Sequence, residues 1–419
     1  MVPLARKTLF EDLPRFLVAQ AGVAFAVGLV AIQSGIYLGF VKQSGMPVDQ
    51  ASADIWVAAK EMQYFELALP LSFDNVDKAR KVAGVERAEA LLLKTSAWRG
   101  PDHKAEYVRV IGFDPNGELW SPGPVSHEVL AKLRAADTAI VDAGNLKSLN
   151  IEGVGGYGKI GQHSVRVVGL THGTQPIISA TFIYASLRSA TAYLAPPTPK
   201  PGSALALALA GARAPAFGGP RSPPAPTPSA SASPDPATLN ASDDISYILV
   251  KAKRGTDLAA LKQRLDDRLS GTKAYTQAEM AARTRSYWLQ RTRIGFMLGL
   301  VAVVGLVVGM TVVGQILYTS VAEHIKDYGT LRAMGAPDSL FYGVVAQQAL
   351  LMAVLGFIPG ILLTIGVSAW VQTHRNVLIL ITPASAALTL AVIAGMCALS
   401  GVFAVQRALR VDPAIVFKA

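Results

Sequence analysis

Hydrophobic and polar positions divide this chain into four long apolar blocks and one long mixed one. The apolar blocks cover residues 16–41, 294–322, 339–373 and 376–406. Each exceeds the roughly 20 residues that a helix rising ~1.5 Å per residue needs to cross a ~30 Å hydrocarbon core. Between the first and second lies a region of about 250 residues, 42–293, too charged to enter a bilayer. The pattern predicts an α-helical membrane protein with four transmembrane helices in a 1+3 arrangement and a large α/β domain inserted between helices 1 and 2. That order excludes a soluble enzyme and most channels.

Inside the inserted region the periodicity changes to strand-like runs and short amphipathic stretches. Strands are expected at 54–59, 88–93, 107–113, 138–141, 165–170, 181–184 and 245–250, the fourth followed by Gly144 and a helical turn. A short helix is expected at 75–82, and a second at 257–269 with Leu258, Leu261, Leu265 and Leu269 on one face. From Thr276 a third helix is expected to run directly into the second span. Residues 195–237 break the pattern, being Pro, Ala, Ser and Gly with almost no charge. A segment so poor in large apolar groups cannot offset the entropy of ordering it, so a disordered insertion is expected there.

The boundaries that follow are an interfacial helix over 1–15, spans at 16–41, 294–318, 339–373 and 384–406, and the inserted domain at 42–293. A loop at 319–338, a short loop at 374–383 and a tail at 407–419 complete the chain. For 1–15 the helix rests on Leu9, Leu13, Phe16 and Leu17 at helical spacing, with Pro14 bending it. The first apolar block is longer than the ~7–15 residues of a signal-peptide core and lacks a small-residue cleavage site, so a retained anchor is expected. Basic flanks stay cytoplasmic. Arg6, Lys7 and Arg15 at one end and Arg407, Arg410 and Lys418 at the other place both termini in the cytoplasm and the domain outside it. Arg283, Arg285, Arg291 and Arg293 crowd the outer end of the second span and oppose that orientation, but long domains translocate largely regardless of charge.

Overall 51% of the residues are hydrophobic and 16% charged, with a formal net charge of +10. Residues 42–293 hold 30 Lys/Arg and 23 Asp/Glu, mixed along the region and not interleaved with aromatics, which argues against nucleic-acid binding. The single cysteine, Cys397, falls in the fourth apolar block and reads as a small packing residue, so the inserted domain must be held by its own core. Gly153-Val-Gly155-Gly-Tyr-Gly158 spells the dinucleotide fingerprint, but a strand-like run follows it where the chemistry needs a helix N-terminus. It reads as a Gly-rich hairpin or loop. No Gly-x4-Gly-Lys-Ser/Thr phosphate loop occurs. His103, His127, His163, His172, His324 and His374 lack ligand spacing, and no nucleophile elbow or paired acids appear. No catalytic, cofactor or metal residue is expected in this chain.

Within the spans, Gly35-x3-Gly39, Gly295-x3-Gly299 and Gly305-x3-Gly309 put small residues on one helix face, where helices approach closely. Residues 339–373 are too long for one upright helix, and Gly356-Phe-Ile-Pro359-Gly360 offers a kink at Pro359. Gln347 and Gln348 read as amides facing other helices.

The most specific motif is Ser320-Val-Ala-Glu-His-Ile-Lys-Asp-Tyr-Gly-Thr-Leu-Arg-Ala-Met-Gly-Ala336. It resembles the loop before the third span of MacB/FtsX-type (type VII) ABC transporter permeases, where an acidic residue, an apolar–Gly pair and Leu/Ile-Arg-Ala-Met/Leu-Gly-Ala follow one another. Arg410-Val-Asp-Pro-Ala-Ile-Val416 is similar to that family's Asp-Pro-x-x-Ala/Val ending. The 1+3 order and the MacB-like domain agree, and Ala53-Asp-Ile-Trp-Val57 with no fused ATPase looks most like the DevC-like branch. The 195–237 insertion departs from the pattern.

The resemblance implies a non-catalytic permease subunit of the bacterial inner membrane, working as a homodimer with two copies of an ABC ATPase that binds ATP and Mg. It implies mechanotransmission through Glu323, Lys326, Asp327, Tyr328, Gly329, Leu331, Arg332, Met334 and Gly335, and efflux through a periplasmic adaptor and an outer-membrane channel. Lipoprotein extraction, or FtsX-like regulation of a cell-wall hydrolase, are the alternatives.

Overall fold

The computed structural model describes residues 13–175, 179–194, 243–323, 338–375 and 378–409. Two compact units emerge, one of residues 43–287 and one of residues 1–42 with 288–419.

In the membrane unit, four helices are long and apolar enough to cross a membrane. They are α1 (Leu13–Asp49), α7 (Ile294–Glu323), α8 (Asp338–Arg375) and α9 (Pro383–Leu409). Pro14 sits in the first turn of α1, where a missing N–H costs nothing. The third apolar block is a single helix with Pro359 inside it. α9 begins on a sequence-encoded cap. Thr382 Oγ1 accepts from the Ser385 amide at 3.1 Å, Ser385 Oγ accepts from the Thr382 amide at 2.9 Å, and Pro383 takes the first helical position. The shared core contains Val23, Ala26 and Val27 of α1, Val313 and Leu317 of α7, Ala349 and Met352 of α8, and Ile393, Met396 and Cys397 of α9. Cys397 is fully buried there, an apolar packing group among apolar neighbours.

The other unit is α/β. Its strands are β1 (Ile55–Ala59), β2 (Leu71–Ser72), β3 (Val85–Arg99), β4 (Ala105–Phe113), β5 (Thr138–Asp142), β6 (Tyr157–Ile160), β7 (His163–Thr171), β8 (Thr181–Ser186), β9 (Asp244–Ile245), β10 (Tyr247–Ala252) and β11 (Thr272–Thr276). Nine of them form one sheet in the order β11-β1-β10-β3-β4-β8-β5-β7-β6, and β6 pairs back onto β3 through Trp98↔Ile160. The 15-residue β3 therefore serves twice. Its first half pairs with β10 in an open sheet, and its second half closes a six-stranded barrel with β4, β8, β5, β7 and β6. Closure removes two sheet edges that would otherwise expose unpaired amides.

Alternation explains the two cores. Ile55, Val57, Leu92, Ile248 and Val250 point to one face, and Trp56, Ala58, Leu91, Leu93 and Leu249 to the other. Helices α2 (Asp74–Arg80), α4 (Leu187–Leu194) and α5 (Leu258–Arg268) contribute to the first core. α5 starts at Asp257, whose Oδ1 accepts from the Ala259 amide at 3.0 Å, and buries Leu261 and Leu265. Helix α6 (Gln277–Thr292) gives Met280 and Ala281 to the second core, which α3 (His127–Lys132) flanks with Val129 and Leu130.

The expected strands and helices stand within a few residues of these elements, except that the strand expected at 88–93 extends to Arg99. One junction differs from expectation: α6 does not run directly into the second span. Arg293 lies between α6 and α7 with φ +49°, and its carbonyl accepts from the amides of Phe296 and Met297 as a new helix begins. Residues 195–237 lie outside the described residues.

Candidate functional site: the helix seams and the base of the inserted domain

The expected coupling loop falls almost wholly outside the described residues. Glu323 is the last residue of α7, while Lys326, Asp327, Tyr328, Gly329, Leu331, Arg332, Met334 and Gly335 lie beyond it in the undescribed stretch.

The span glycines are placed in detail. A Cβ at Gly305 would lie 2.8 Å from Leu29, and one at Gly309 would lie 2.7 Å from Ala26 and 3.0 Å from Met396. Real Cβ atoms do not approach so closely, so these residues set the spacing of α7 against α1. Gly295 lies 3.3 Å from the Tyr37 ring by the same measure, and Gly299 faces open space. On α1, Gly22 meets Val312, while Gly35 and Gly39 meet Ile379 and Leu378 in the segment before α9. Two further seam residues were hidden in what reads as a kink. Gly356 meets Val23 and Gly360 meets Val27, each inside 3 Å, so the glycines around Pro359 bring α8 onto α1. Their four-residue spacing was the signal, overshadowed by the proline between them.

In the inserted domain, polar contacts concentrate where the end of α1 meets α6. Pro47 stands inside α1 near its end. The carbonyls there go to side chains. Trp120 Nε1 donates to Pro47 O at 2.8 Å, and Gln277 Nε2 lies within donating distance of the carbonyls of Val48 (3.1 Å), Asp49 (3.2 Å) and Ala51 (2.7 Å). This satisfies helix-end acceptors that have no partner within the helix. Arg285 forms an ion pair with Asp49, and its guanidinium fills the space beside Gly45. Two residues earlier in α6, Arg283 donates to the carbonyls of Gln63 (3.0 Å) and Met62 (3.2 Å) and lies over the Tyr275 ring at 5.5 Å. The Tyr64 and Tyr287 rings stack at 3.8 Å. Burial, with Tyr287 next to it, pushes the Tyr64 phenol up to about 12.

Below that stack Glu66 is buried, accepting from Ser179 Oγ at 2.8 Å with Arg109 Nε 3.7 Å away. Burial raises its pKa above the ordinary carboxylate value, and the Ser179 hydrogen bond and Arg109 only partly oppose this. Tyr247 hydroxyl, donating to Phe65 O at 2.6 Å, completes the cluster.

The Gly-rich run at 153–158 leads into β6 and a hairpin to β7, with no helix after it. Among the described residues no group of three His, Cys, Asp or Glu is arranged to hold a metal. His163 faces Asp137 at 3.1 Å.

Comparison with known proteins bears on both parts of the chain. Residues 299–413 match the family described as FtsX-like permease C-terminal. Over 121 residues the chain is 31% identical to an uncharacterized ABC transporter permease of Mycobacterium tuberculosis, covering 29% of this chain and 33% of that protein. Over 180 residues it is 25% identical to the pyoverdine export ATP-binding/permease protein PvdT of Pseudomonas savastanoi pv. phaseolicola, covering 42% and 27%. These alignments span a third or less of the relatives' own length. Among solved structures, the periplasmic region of MacB from Actinobacillus actinomycetemcomitans aligns at 8% identity and TM-score 0.31 over 54% of this chain and 90% of that one. The extracellular domain of the transporter YknZ from Gram-positive bacteria aligns at 10% and 0.29 over 53% and 98%. Residues 299–413 thus form an FtsX-like permease C-terminal region.

Proposed function

We propose that this chain is the membrane subunit of an ABC transporter, acting as a homodimer with two copies of a separate ATPase and exporting through an adaptor and an outer-membrane duct. The observation that carries this reading is the FtsX-like match over 299–413, which includes the loop between α7 and α8. Relatives matched by this chain are named as ABC transporter permeases, and one as an ATP-binding/permease protein for export. Both termini and the 319–338 loop are cytoplasmic in this reading. Closure of the ATPase pair pushes on that loop, with Glu323 and Arg332 as charged contacts and Leu331 and Met334 seated in a groove of the partner. Motion leaving the spans reaches the inserted domain at its base, where Gln277, Arg285 and Trp120 grip the end of α1.

The test is co-purification. The chain is expressed with an ABC ATPase subunit from the same genome, as wild type, Glu323→Lys and Leu331→Asp. A seated anchor contributes about 2 kcal/mol or more to such a contact. Each variant is expected to stay folded in the membrane while recovery of the ATPase falls by about tenfold or more. Normal recovery with normal transport in both variants would show that coupling uses another surface.

A further inference from the structure

We infer that the end of the first two spans nearest the inserted domain binds an anionic phospholipid headgroup, held by Lys42, Arg291 and Arg293. Helix contacts fix their level. Gly22 with Val312, Ala26 with Gly309, Leu29 with Gly305 and Tyr37 with Gly295 define one antiparallel register between α1 and α7. Extended a little over one turn past Tyr37, that register brings Lys42 level with the turn from Arg291 to Arg293. All three cations are exposed, and none is held in an ion pair among the described residues. The other two arginines of the cluster are already used, Arg285 on Asp49 and Arg283 on the carbonyls of Met62 and Gln63.

The backbone adds to the same charge. α7 starts directly after Arg293, so the amides of Ile294 and Gly295 have no partner within that helix, and its positive end begins next to that arginine. Just along α7, Phe296 (73% exposed), Met297 (65%) and Leu300 (56%) offer an apolar surface on which acyl chains can lie. A phosphate at the helix end with hydrocarbon beside it is the chemistry of a phospholipid.

The experiment uses the full chain, delipidated in mild detergent and offered equal phosphatidylglycerol and phosphatidylcholine, with retained lipid read by native mass spectrometry. Wild type is expected to retain phosphatidylglycerol preferentially. The triple variant Lys42→Gln, Arg291→Gln, Arg293→Gln should lose that preference, on the order of fivefold per cation removed. The charge-conserving triple Lys42→Arg, Arg291→Lys, Arg293→Lys should keep it, as should Lys104→Gln, Lys132→Gln, Lys147→Gln in the inserted domain. Unchanged preference in the first triple, or equal loss in the distant one, overturns the proposal. Displacement of the lipid by millimolar inorganic phosphate would overturn it in favour of a free-phosphate site.

Discussion

Glu66 shows what one buried carboxyl does to a domain. Its ordinary value is restored on unfolding, while burial raises it in the folded state above that value. Between the two values the folded state therefore binds the proton more tightly, so stability is greatest below the ordinary carboxylate range and falls as pH climbs through the raised value. The groups facing it are Arg109, Ser179, Tyr64 and Tyr247. Only Arg109 favours the charged form by its own charge, and at 3.7 Å it does not outweigh burial. Glu66→Gln keeps an amide for Ser179 and removes the ionisation. Urea unfolding is expected to find the variant more stable than wild type at pH 7.5 and closer to it at pH 5. A variant less stable at pH 7.5 would mean that the Arg109 pair dominates. Nothing in the sequence marked this residue, because its environment comes from Ser179, 113 positions away.

At the scale of elements, regular periodicity was legible and irregular geometry was not. Strands such as β1 and β10 announce themselves through the apolar runs Ile55-Trp-Val57 and Tyr247-Ile-Leu-Val250. β6 hides behind the glycines before it, and the barrel closure onto β3 depends on a pairing no local pattern records. The break at Arg293 was invisible because arginine has no special preference for positive φ. The base of the domain was equally hidden, since Gln277 reaches carbonyls 226 to 229 positions away. The helix seams were half legible: spacing marked Gly295, Gly299, Gly305 and Gly309, and only contact separates them. Gly309→Ala puts a methyl against Ala26 and Met396, which neither helix can avoid without shifting, and overpacking of this kind costs about 1–3 kcal/mol. Gly299→Ala meets nothing within 4 Å and should be neutral or gain up to ~1 kcal/mol from helix propensity. Thermal unfolding of the purified chain in detergent should rank the pair that way. Equal effects would mean that the α1–α7 spacing does not rest on Gly309.

For the whole molecule, the open question of organisation is what residues 195–237 contribute. The described chain is anchored on both sides of them. α4 buries Ala190 and Tyr193 against the first core, and β9 pairs with β2 through Leu71↔Ile245. Each of these anchors is made by residues outside the insertion. The composition of 195–237, read from sequence, supplies little apolar surface to add to either core. Loop closure depends only on the logarithm of length, so shortening the connection should change stability by about 1 kcal/mol or less, in the favourable direction. A Gly/Ser linker of about 15 residues still reaches ~50 Å when extended. Replacing 195–237 by such a linker is therefore expected to leave membrane expression, the unfolding midpoint and recovery of the ATPase unchanged. A fall in stability of more than about 2 kcal/mol would show that the segment packs on the domain. Intact stability with lost transport would instead make it a docking arm for another component.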